Sequence, residues 1–325
     1  MHTLEEYRDI ITAAIEKMDL DKVPQELYEP IKYTMNLGGK RLRPTLCLLA
    51  AGMFDGSVED ALPAALAIEI FHNFTLIHDD IMDQAPIRRG KPSVYRRWNE
   101  NIAILSGDAM MAMAYQYLIK SPAEHIVPLL EEFNKFAIEV CEGQQFDLNF
   151  ETSGNPSLDE YINMIRLKTS VLIAGSLKIG AIIGKAPEKD ANNLYEFGKN
   201  IGIAFQIKDD YLDVFGKEEN FGKQTGGDIL TNKKTFLYLK AYESATGEML
   251  KKLNYYFNPS NHIDPVEKIN GVKEIYRQLK IKEKTEEAME VYYDKALVFL
   301  DRIDLPPVKK SEILRLSGQL MNRKI

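Results

Sequence analysis

Cysteine is scarce in this sequence, and its scarcity excludes disulfide-stapled and cysteine-ligated classes of protein. The 325 residues include two cysteines, Cys47 and Cys141, which lie far apart in apolar segments. A disulfide framework or a cysteine metal site needs more cysteines at closer, characteristic spacings. We therefore expect both thiols to be buried in the hydrophobic core.

The sequence also shows no basic excess and no pattern typical of a signal peptide or a membrane-spanning run. The formal net charge is −7, which argues against nucleic acid as a partner. The first residues, MHTLEE, lack the basic region and apolar core of a signal peptide. No uninterrupted apolar run approaches the length of a spanning helix. We expect a cytoplasmic protein with no nucleic-acid partner and no stable membrane insertion.

Linkers, repeats and strand-like alternation are absent too. No Pro/Gly/Ser-rich stretch marks a domain boundary, so we predict one all-helical domain over residues 1–325. Without two-residue alternation between turn signals, a sheet is not expected. Apolar residues instead recur with helical spacing in ten segments: Leu4 to Met18, Pro24 to Asn36, Pro44 to Met53, Ala61 to Asp83, Ile102 to Leu118, Pro122 to Asn149, Leu158 to Ile183, Lys189 to Phe215, Thr235 to Leu253 and Val266 to Leu300. The predicted fold is all-α, a single large bundle of ten or more helices around a central apolar cavity.

The most informative stretch of the chain is an acidic motif, DDIMD, at residues 79–83. In a helix, Asp79 and Asp83 share one face with His72, and Asp80 lies beside them. Three carboxylates within little more than one turn repel one another unless a hard cation bridges them. A solvated acidic turn would explain most isolated matches to this pattern, so the motif gains weight only from its surroundings.

Cationic residues surround this motif in sequence. Arg88 and Arg89 follow it at once, and paired guanidinium groups suit a phosphorylated substrate. The loop GGKRLRP, residues 38–44, joins two predicted helices. Its glycines permit a tight turn, and its three cations, with Lys40 and Arg43 among them, have stems free to aim inward. The loop is either a diphosphate clamp or a helix connection with solvated charges.

A second acidic motif, FQIKDDYLD at residues 205–213, repeats the arrangement in another predicted helix. Its Asp209 and Asp213 lie at i, i+4 on one helix face. Two such clusters in one helical chain can face each other across a bundle and hold several hard cations. Coincidence is then the weaker interpretation. A Gly-rich segment with Lys223 follows, and Lys233 stands at the start of the next helix.

Polar residues also interrupt the apolar helices between the two motifs. Asp147 comes three residues after Gln144 near the end of one predicted helix, where both could touch a site. Lys168 and Thr169 lie inside another long apolar helix. A buried lysine requires a partner, and a phosphate group would serve as one.

In this order the motifs resemble those of the trans-isoprenyl diphosphate synthases, the polyprenyl synthetase family, from about Pro24 to Thr235. The resemblance implies a magnesium-dependent enzyme with three ions per active site, usually a homodimer. It also implies that an allylic diphosphate (dimethylallyl, geranyl or farnesyl) condenses with isopentenyl diphosphate to give a linear trans-prenyl diphosphate. The short-chain members, such as geranylgeranyl or farnesyl diphosphate synthase, are the most similar.

The resemblance also implies roles for individual residues. Catalysis is assigned to Asp79, Asp80, Asp83, Asp209, Asp210, Asp213 and Lys168. Among the aspartates, the metal ligands would be Asp79, Asp83 and Asp209, and the others would support them. Isopentenyl diphosphate would be bound by Lys40, Arg43, His72 and Arg89. The allylic diphosphate would be bound by Arg88, Lys168, Thr169, Gln206, Lys223 and Lys233.

This chain departs from the family pattern in two places. Asn232 stands where a glycine is common before the last lysine of the pattern. Residues 321–325 resemble only loosely the basic tail that closes some members. Closure of the site by the tail is therefore not carried over to this chain.

Product length is expected to depend on the helix that carries Asp79. Phe74 and Phe71 stand five and eight residues before it, and the growing chain must run back along that helix. Together with the small Thr75 they form a partial floor, which predicts products of about fifteen to twenty carbons, with geranylgeranyl diphosphate favoured. Ordinary core packing of Phe74 is equally allowed by its place on the apolar stripe.

Three other functions are compatible with parts of the pattern. A longer-chain polyprenyl diphosphate synthase would need a small residue at position 74. A class I terpene cyclase shares one acidic helix, but we would expect an Asn/Ser/Glu metal motif instead of Asp209 to Asp213, and no cationic loop. A non-catalytic helical partner subunit would have little use for two intact acidic clusters.

Overall fold

The computed structural model describes residues 2–152, 154–216 and 226–321. Helices dominate these residues, which confirms the all-α prediction. In chain order the helices are α1 Leu4–Glu16, α2 Gln25–Met35, α3 Leu42–Met53, α4 Val58–Met82, α5 Val94–Arg97, α6 Glu100–Leu118, α7 Ile126–Thr152, α8 Leu158–Ile165, α9 Val171–Ile183, α10 Glu188–Phe215, α11 Gly227–Leu230, α12 Phe236–Ser244, α13 Gly247–Tyr256, α14 Pro265–Gln278, α15 Ile281–Asp301 and α16 Pro307–Met321. A 3₁₀ turn, Ala123–His125, precedes α7, and a π-helical turn, Arg166–Ser170, lies between α8 and α9.

Side-chain caps explain where several helices begin. Ser57 accepts a hydrogen bond from the backbone N–H of Asp60 at 3.0 Å and starts α4. Ser157 and Glu160 form a reciprocal capping box at the start of α8. Such caps satisfy backbone donors that have no partner within the helix.

Two segments that were predicted as single helices each form two helices. The segment from Thr235 to Leu253 forms α12 and α13, because Ala245 adopts an extended backbone with ψ 140°. The segment from Val266 to Leu300 breaks into α14 and α15 at Lys280, whose φ of 55° lies in the left-handed region. Apolar spacing continues through both breaks and therefore gives no sign of them.

A short hairpin was not predicted. Strands β1, Ile87–Arg88, and β2, Lys91–Pro92, pair antiparallel, with Arg88 opposite Lys91. The two residues between the strands, Arg89 and Gly90, have φ values of 53° and 75°, the combination that tight two-residue hairpins require. The hairpin is too short for the alternation that identifies strands in sequence.

The chain forms two compact units, each discontinuous in sequence. The first comprises Met1–Asn134, Gly175–Tyr195 and Ile303–Ile313, and the second comprises Lys135–Ala174, Glu196–Arg302 and Leu314–Ile325. In the first unit α4 contacts both α3 and α6. The core of the second unit includes the buried side chains Tyr161, Tyr211, Phe236 and Tyr276. The single-domain organisation over residues 1–325 stays a prediction.

Helix α4 is the exception to the expectation that no apolar run is long enough to span a membrane. Its 25 residues are long and apolar enough by length and composition. However, 61% of its most apolar window is buried inside the protein. Glu69 and Asn73 are among its buried residues. These features are those of a core helix that carries functional groups.

The prediction for the cysteines holds for one of them. Cys47 is buried in α3, whereas Cys141 of α7 is exposed. Ile138 and Phe146 of the same helix are exposed as well, so the apolar residues of α7 do not all face the core. Helical spacing alone did not identify which face of α7 is covered.

Candidate active site

The first acidic motif lies at the C-terminal end of α4. Asp79 and Asp80 belong to the last turn, and Asp83 is the C-cap residue. Arg88 of the hairpin donates from Nε and Nη2 to Asp80 Oδ1 at 2.9 and 2.5 Å, and from Nη2 to Asp79 Oδ2 at 3.4 Å. The repulsion expected among these carboxylates is thus relieved in part by a guanidinium group of the protein itself.

Burial raises the pKa of Asp80, and the hydrogen bonds and charge of Arg88 act against that shift. The Asp80 side chain is only 4% exposed, whereas Arg88 is 29% exposed. A buried carboxylate of this kind requires a paired cation. Arg88 therefore has a structural role at the motif in addition to its predicted role in binding the allylic diphosphate.

A cluster of arginines surrounds His72. Arg43 Nη1 lies 3.1 Å from His72 Nε2. Because a guanidinium can only donate, His72 accepts at Nε2 and carries its proton on Nδ1. Burial holds the pKa of His72 well below its usual range, and the charges of Arg43, Arg89, Arg88 and Arg41 lower it further. His72 is therefore neutral near pH 7 and presents an N–H donor within a strongly cationic region.

The predicted clamp loop contributes to this region through its backbone as well as its side chains. The Arg89 guanidinium donates to the carbonyl of Gly38. Gly39 has a φ of 132°, in the region that favours glycine, and a Cβ there would stand 2.9 Å from the same guanidinium carbon. Lys40 is exposed on the loop. Arg43, His72 and Arg89 are thus brought together, with Lys40 nearby in sequence, and their role in binding isopentenyl diphosphate stays a prediction.

The third cation of the loop, Arg41, has a structural role. Its side chain is 5% exposed and lies 2.5 Å from the carboxylate of Glu69, which is 2% exposed. Arg41 also donates to the carbonyl of Met35, and Asn73 Nδ2 donates to Glu69 Oε1 at 3.0 Å. This buried network ties the loop to α4. A lone glutamate in an apolar helix segment was the sequence signal for it, since such a residue needs a partner.

The second acidic motif lies near the end of α10, and its middle aspartate is enclosed by neutral donors. Asp210 accepts hydrogen bonds from the Tyr161 hydroxyl, from the backbone N–H of Phe236 at 3.1 Å and from Gln206 Nε2 at 3.3 Å. Burial raises the pKa of Asp210 to about 6, opposed by these donors and by the charge of Lys233. Asp210 is therefore a fixed part of the protein framework.

Asp213 and Asp209, the other two aspartates of this motif, lie in different surroundings from Asp210 and from each other. Asp213 Oδ2 accepts the backbone N–H of Asp228 at 3.0 Å, and its carbonyl accepts the N–H of Gly226 at 2.6 Å. Asp213 thereby holds the short helix α11. Asp209 is half-buried on α10.

The predicted long helix from Leu158 to Ile183 is interrupted where its polar residues lie. Lys168 and Thr169 belong to the π-helical turn, a feature that occurs often at functional sites. Lys168 Nζ donates to Asp147 Oδ2 at 2.6 Å, and Thr169 donates to Gln206 Oε1 at 3.2 Å. Lys168 is 24% exposed, so it is less buried than predicted, and its partner in this structure is a carboxylate.

Two glycines on neighbouring helices hold this π-helical turn. A Cβ at Gly143 of α7 would stand 2.2 Å from the backbone nitrogen of Lys168. A Cβ at Gly202 of α10 would stand 2.7 Å from the Cα of Ser170. These contacts require glycine, since no real Cβ approaches so closely. An isolated glycine within a predicted helix was the only sequence signal for either contact.

The polyprenyl synthetase family model matches residues 24–278, a range that includes both acidic motifs. The chain belongs to the polyprenyl synthetase family. A geranylgeranyl diphosphate synthase of Methanosarcina mazei is 43% identical over 235 residues, which cover 72% of each chain.

Solved structures of polyprenyl synthetases agree with this assignment. A geranylgeranyl pyrophosphate synthase structure has a TM-score of 0.94 at 43% identity and covers 100% of both chains. The geranylgeranyl pyrophosphate synthase of Corynebacterium glutamicum has a TM-score of 0.85 at 27% identity, with 99% of this chain and 98% of that chain covered. That protein was solved in complex with isoprenyl diphosphate and magnesium.

Several of the polyprenyl synthetase roles stay predictions. Over residues 2–152, 154–216 and 226–321, no three His, Cys, Asp or Glu side chains converge as in a preformed metal site. The ligand roles of Asp79, Asp83 and Asp209 are therefore untested. Lys223 lies outside the described residues. Lys233 is exposed and follows Asn232, whose φ of 59° is left-handed.

The three predicted floor residues occupy different environments on α4. Phe71 is fully buried, with its ring centroid 5.6 Å from that of Phe74 and 5.3 Å from that of Phe133. Phe74 is half-buried, and its ring lies 4.9 Å from His78. Thr75 donates to the carbonyl of His72 at 2.8 Å. Phe71 fits ordinary core packing, and Phe74 is the better candidate for a floor.

Proposed function

We propose that this polyprenyl synthetase is a prenyltransferase that joins isopentenyl diphosphate to an allylic diphosphate and releases a linear trans-prenyl diphosphate. The observation that carries the proposal is the cationic region around neutral His72, built beside an aspartate cluster. The guanidinium of Arg43 lies 3.1 Å from His72 Nε2, and Arg89 adds a second positive charge to this region, which suits a diphosphate. The resemblance to the family assigns that role to Arg43, His72 and Arg89.

Magnesium fits the donor set of both motifs. Carboxylate oxygens are the ligands that this hard cation prefers, and the Corynebacterium glutamicum relative was solved with it. We assign the ligand role to Asp79, Asp83 and Asp209. When bound, the metal neutralises charge on the departing diphosphate. The proposed number of magnesium ions, three per active site, rests on the family resemblance alone.

The residues of the chain hold the two diphosphates in different surroundings. Lys40, Arg43, His72 and Arg89 bind isopentenyl diphosphate, and His72 contributes its Nδ1–H. The allylic diphosphate is bound by Arg88, Lys168, Thr169, Gln206, Lys223 and Lys233. The hydrogen bond from Thr169 to Gln206, and that from Gln206 to Asp210, support the second group by fixing its members relative to one another.

The chemistry follows from where charge develops. Cleavage of the allylic carbon–oxygen bond leaves a delocalised carbocation and a diphosphate anion, which the cations of the site stabilise. The double bond of isopentenyl diphosphate attacks the carbocation and forms the new carbon–carbon bond. The resulting cation loses a proton to the departing diphosphate. The apolar chain must stay away from water throughout.

One assay tests the proposed activity against its alternatives. The purified chain is incubated with labelled isopentenyl diphosphate, an allylic primer and magnesium, and the products are separated by size. An elongated linear diphosphate is the expected result. A cyclic hydrocarbon would indicate a terpene cyclase, and no turnover with any primer would indicate a non-catalytic partner subunit.

Product length is the finer part of the proposal. We propose products of fifteen to twenty carbons, with Phe74 as the main floor residue. Phe74→Ala should lengthen the product with turnover retained, whereas Phe197→Ala, a buried aromatic of α10, should lower stability by about 3–5 kcal/mol without lengthening it. An unchanged product from stable Phe74→Ala and Phe71→Ala variants would refute the floor assignment.

The assembly and location are proposed by family resemblance. We propose a homodimer in the cytoplasm, with isopentenyl and allylic diphosphates as its small-molecule partners and without stable membrane insertion. Light scattering coupled to size exclusion tests the assembly. A mass near the 37.1 kDa of one chain at micromolar concentration would contradict the homodimer.

A further inference from the structure

The turn that carries Lys233 has an unusual residue before it. Asn232 adopts a left-handed backbone with φ 59°, a region that favours glycine. Asparagine is one of the few other residues that tolerate this conformation. The turn is closed by backbone hydrogen bonds from Asn232 to Ile229 at 3.2 Å and from Lys233 to Asp228 at 2.9 Å. Unlike glycine, Asn232 adds a side chain that can be held.

That side chain is held by Lys268 of α14. Lys268 Nζ donates to Asn232 Oδ1 at 2.6 Å and to the carbonyl of Leu230 at 3.4 Å. Lys268 is only 8% exposed, and its Nζ lies 5.7 Å from the ring centre of Phe257. A buried ammonium group needs such acceptors. Loss of these acceptors would leave the buried ammonium group unpaired, at a cost in folding free energy. The contact therefore restrains the turn as well as the lysine.

The same segment is fixed at its other end by the second acidic motif. Asp213 accepts the N–H of Asp228 at 3.0 Å. A Cβ at Gly226 would stand 3.0 Å from the side chain of Ile269, the residue after Lys268. Residues 226–232 are therefore held between α10 and α14. The orientation of the residue that follows them is set by these two attachments.

Lys233 is that following residue, and it is linked to the second motif through the backbone. Its N–H donates to the carbonyl of Asp228 at 2.9 Å, and the N–H of Asp228 donates to Asp213 Oδ2 at 3.0 Å. The backbone N–H of Thr235 donates to the carbonyl of Lys233 at 3.0 Å, which fixes the peptide on its C-terminal side. Its side chain is exposed, and the backbone of the turn sets where that side chain begins.

We propose that Lys268 is a positioning residue for the allylic diphosphate site: by hydrogen bonding Asn232 it fixes the turn that presents Lys233 to the diphosphate. The inference rests on the proposed function, in which Lys233 contacts that substrate. It concerns the hydrogen bond between Lys268 and Asn232. A glycine at position 232 would have no side-chain oxygen to accept that bond. Lys268 itself does not touch the substrate.

The first test separates the two substrates. Lys268→Met keeps most of the side-chain volume and removes the donor. It should raise the KM for the allylic diphosphate about 10-fold, with the KM for isopentenyl diphosphate unchanged. Lys284→Met is the matched control, since Lys284 is a half-buried lysine of the same unit that donates to Ser244 at 2.9 Å. Lys284→Met should change neither KM. Equal changes in both KM values with Lys268→Met would overturn the inference.

A second variant keeps the test valid if Lys268→Met fails to fold. Asn232→Gly preserves the left-handed turn without strain and removes the acceptor Oδ1. It should raise the allylic KM in the same direction, and Lys268→Arg, which keeps a donor, should restore part of the loss seen with Lys268→Met. An unchanged allylic KM with Asn232→Gly would contradict a role for this hydrogen bond.

A double-mutant cycle distinguishes positioning from general stabilisation. If Lys268 acts through Lys233, adding Lys268→Met to Lys233→Ala should raise the allylic KM by less than about 2-fold beyond Lys233→Ala alone. The same 10-fold effect in both backgrounds would overturn the inference but leave the proposed function intact. No effect of Lys233→Ala by itself would instead remove Lys233 from the proposed site, and the inference with it.

Discussion

The two acidic motifs of this polyprenyl synthetase share one pattern of aspartates but handle the buried charge differently. In the first, the middle carboxylate of Asp80 is paired with the guanidinium of Arg88. In the second, the middle carboxylate of Asp210 is surrounded by neutral donors, including Tyr161 and Gln206. The sequence pattern therefore predicts where carboxylates gather, but it does not predict how each one is stabilised.

The difference has a consequence for function. A guanidinium that is 29% exposed can rearrange when a diphosphate and its cations arrive, because one strong acceptor replaces another. Asp210, enclosed by three donors, is fixed before any ligand binds. The first motif is thus suited to respond to the substrate, and the second motif is suited to a preformed framework.

The largest expected effect is a loss of turnover, and it should be similar for the two motifs. Asp79→Ala and Asp209→Ala should each lower kcat by about 10³-fold or more, since each removes a ligand from metal sites worth several kcal/mol in the transition state. Steady-state assays at saturating substrates measure this loss. Near-native turnover by either variant at ordinary magnesium levels would contradict a mechanism that uses both motifs.

The fold of the Asp79→Ala variant should survive. Arg88 already relieves part of the repulsion, so we expect the free energy of unfolding without magnesium to change by less than about 1 kcal/mol. Denaturant titration of both aspartate variants checks this point. It also serves as the control that separates lost catalysis from lost structure.

The next largest effect is on KM, and it should differ between the cationic residues assigned to the two diphosphates. Arg43→Ala should raise the KM for isopentenyl diphosphate by about 10- to 100-fold and change the allylic KM little, since it removes a charge-assisted contact. Lys168→Ala should show the opposite bias. Initial rates with each substrate varied in turn give both constants. Equal effects on both substrates from each variant would mean that the two diphosphate sites are wrongly assigned.

The pH dependence of stability should reveal the raised pKa of Asp210. Because that pKa, about 6, exceeds the unfolded value, the folded state binds a proton first as pH falls. The stability of the protein relative to Asp210→Asn should therefore rise between pH 7 and pH 5, by at most about 1.4 kcal/mol per pH unit. Urea unfolding in EDTA, repeated across this range, measures the slope. A flat or opposite difference would contradict the raised pKa.

His72 should give a slope of the opposite sign. Burial and the nearby arginines depress its folded-state pKa, so below about pH 6.5 the unfolded chain binds a proton that the folded protein does not. Stability relative to His72→Gln should fall from pH 7 to pH 5, by up to about 1.4 kcal/mol per pH unit. The same unfolding series checks it, with His262, an exposed histidine, replaced by glutamine as a control. A slope shared by both histidine variants would rule out the cationic surroundings as its cause.

Local patterns predicted the helices and suggested members of the candidate site, but not its long-range pairs. The apolar period identified the segments of α4 and α10, and the order of motifs assigns Arg43, His72 and Lys168 to the candidate site. The pairing of Arg41 with Glu69 joins residues 28 positions apart, and that of Tyr161 with Asp210 joins residues 49 apart. Such contacts arise from tertiary packing, which a local period does not contain.

Backbone irregularities were missed for a related reason. The break at Lys280 needs a left-handed residue, and the π-helical turn at Arg166–Ser170 needs the close approach of two glycines. Neither interrupts the apolar spacing. Both irregularities depend on contacts with neighbouring helices. Two of the predicted site residues lie in the π-helical turn.

By resemblance to the family, we propose that the two motifs act on one allylic diphosphate through shared magnesium. The most direct measurement is calorimetric affinity for an unreactive allylic diphosphate analogue in magnesium, for the native protein, Asp79→Ala, Asp209→Ala and the double variant. If the motifs share the ligand, each single variant should lose about 100-fold in affinity and the double variant should lose little more. Native affinity in either single variant, or losses that multiply in the double variant, would contradict the claim.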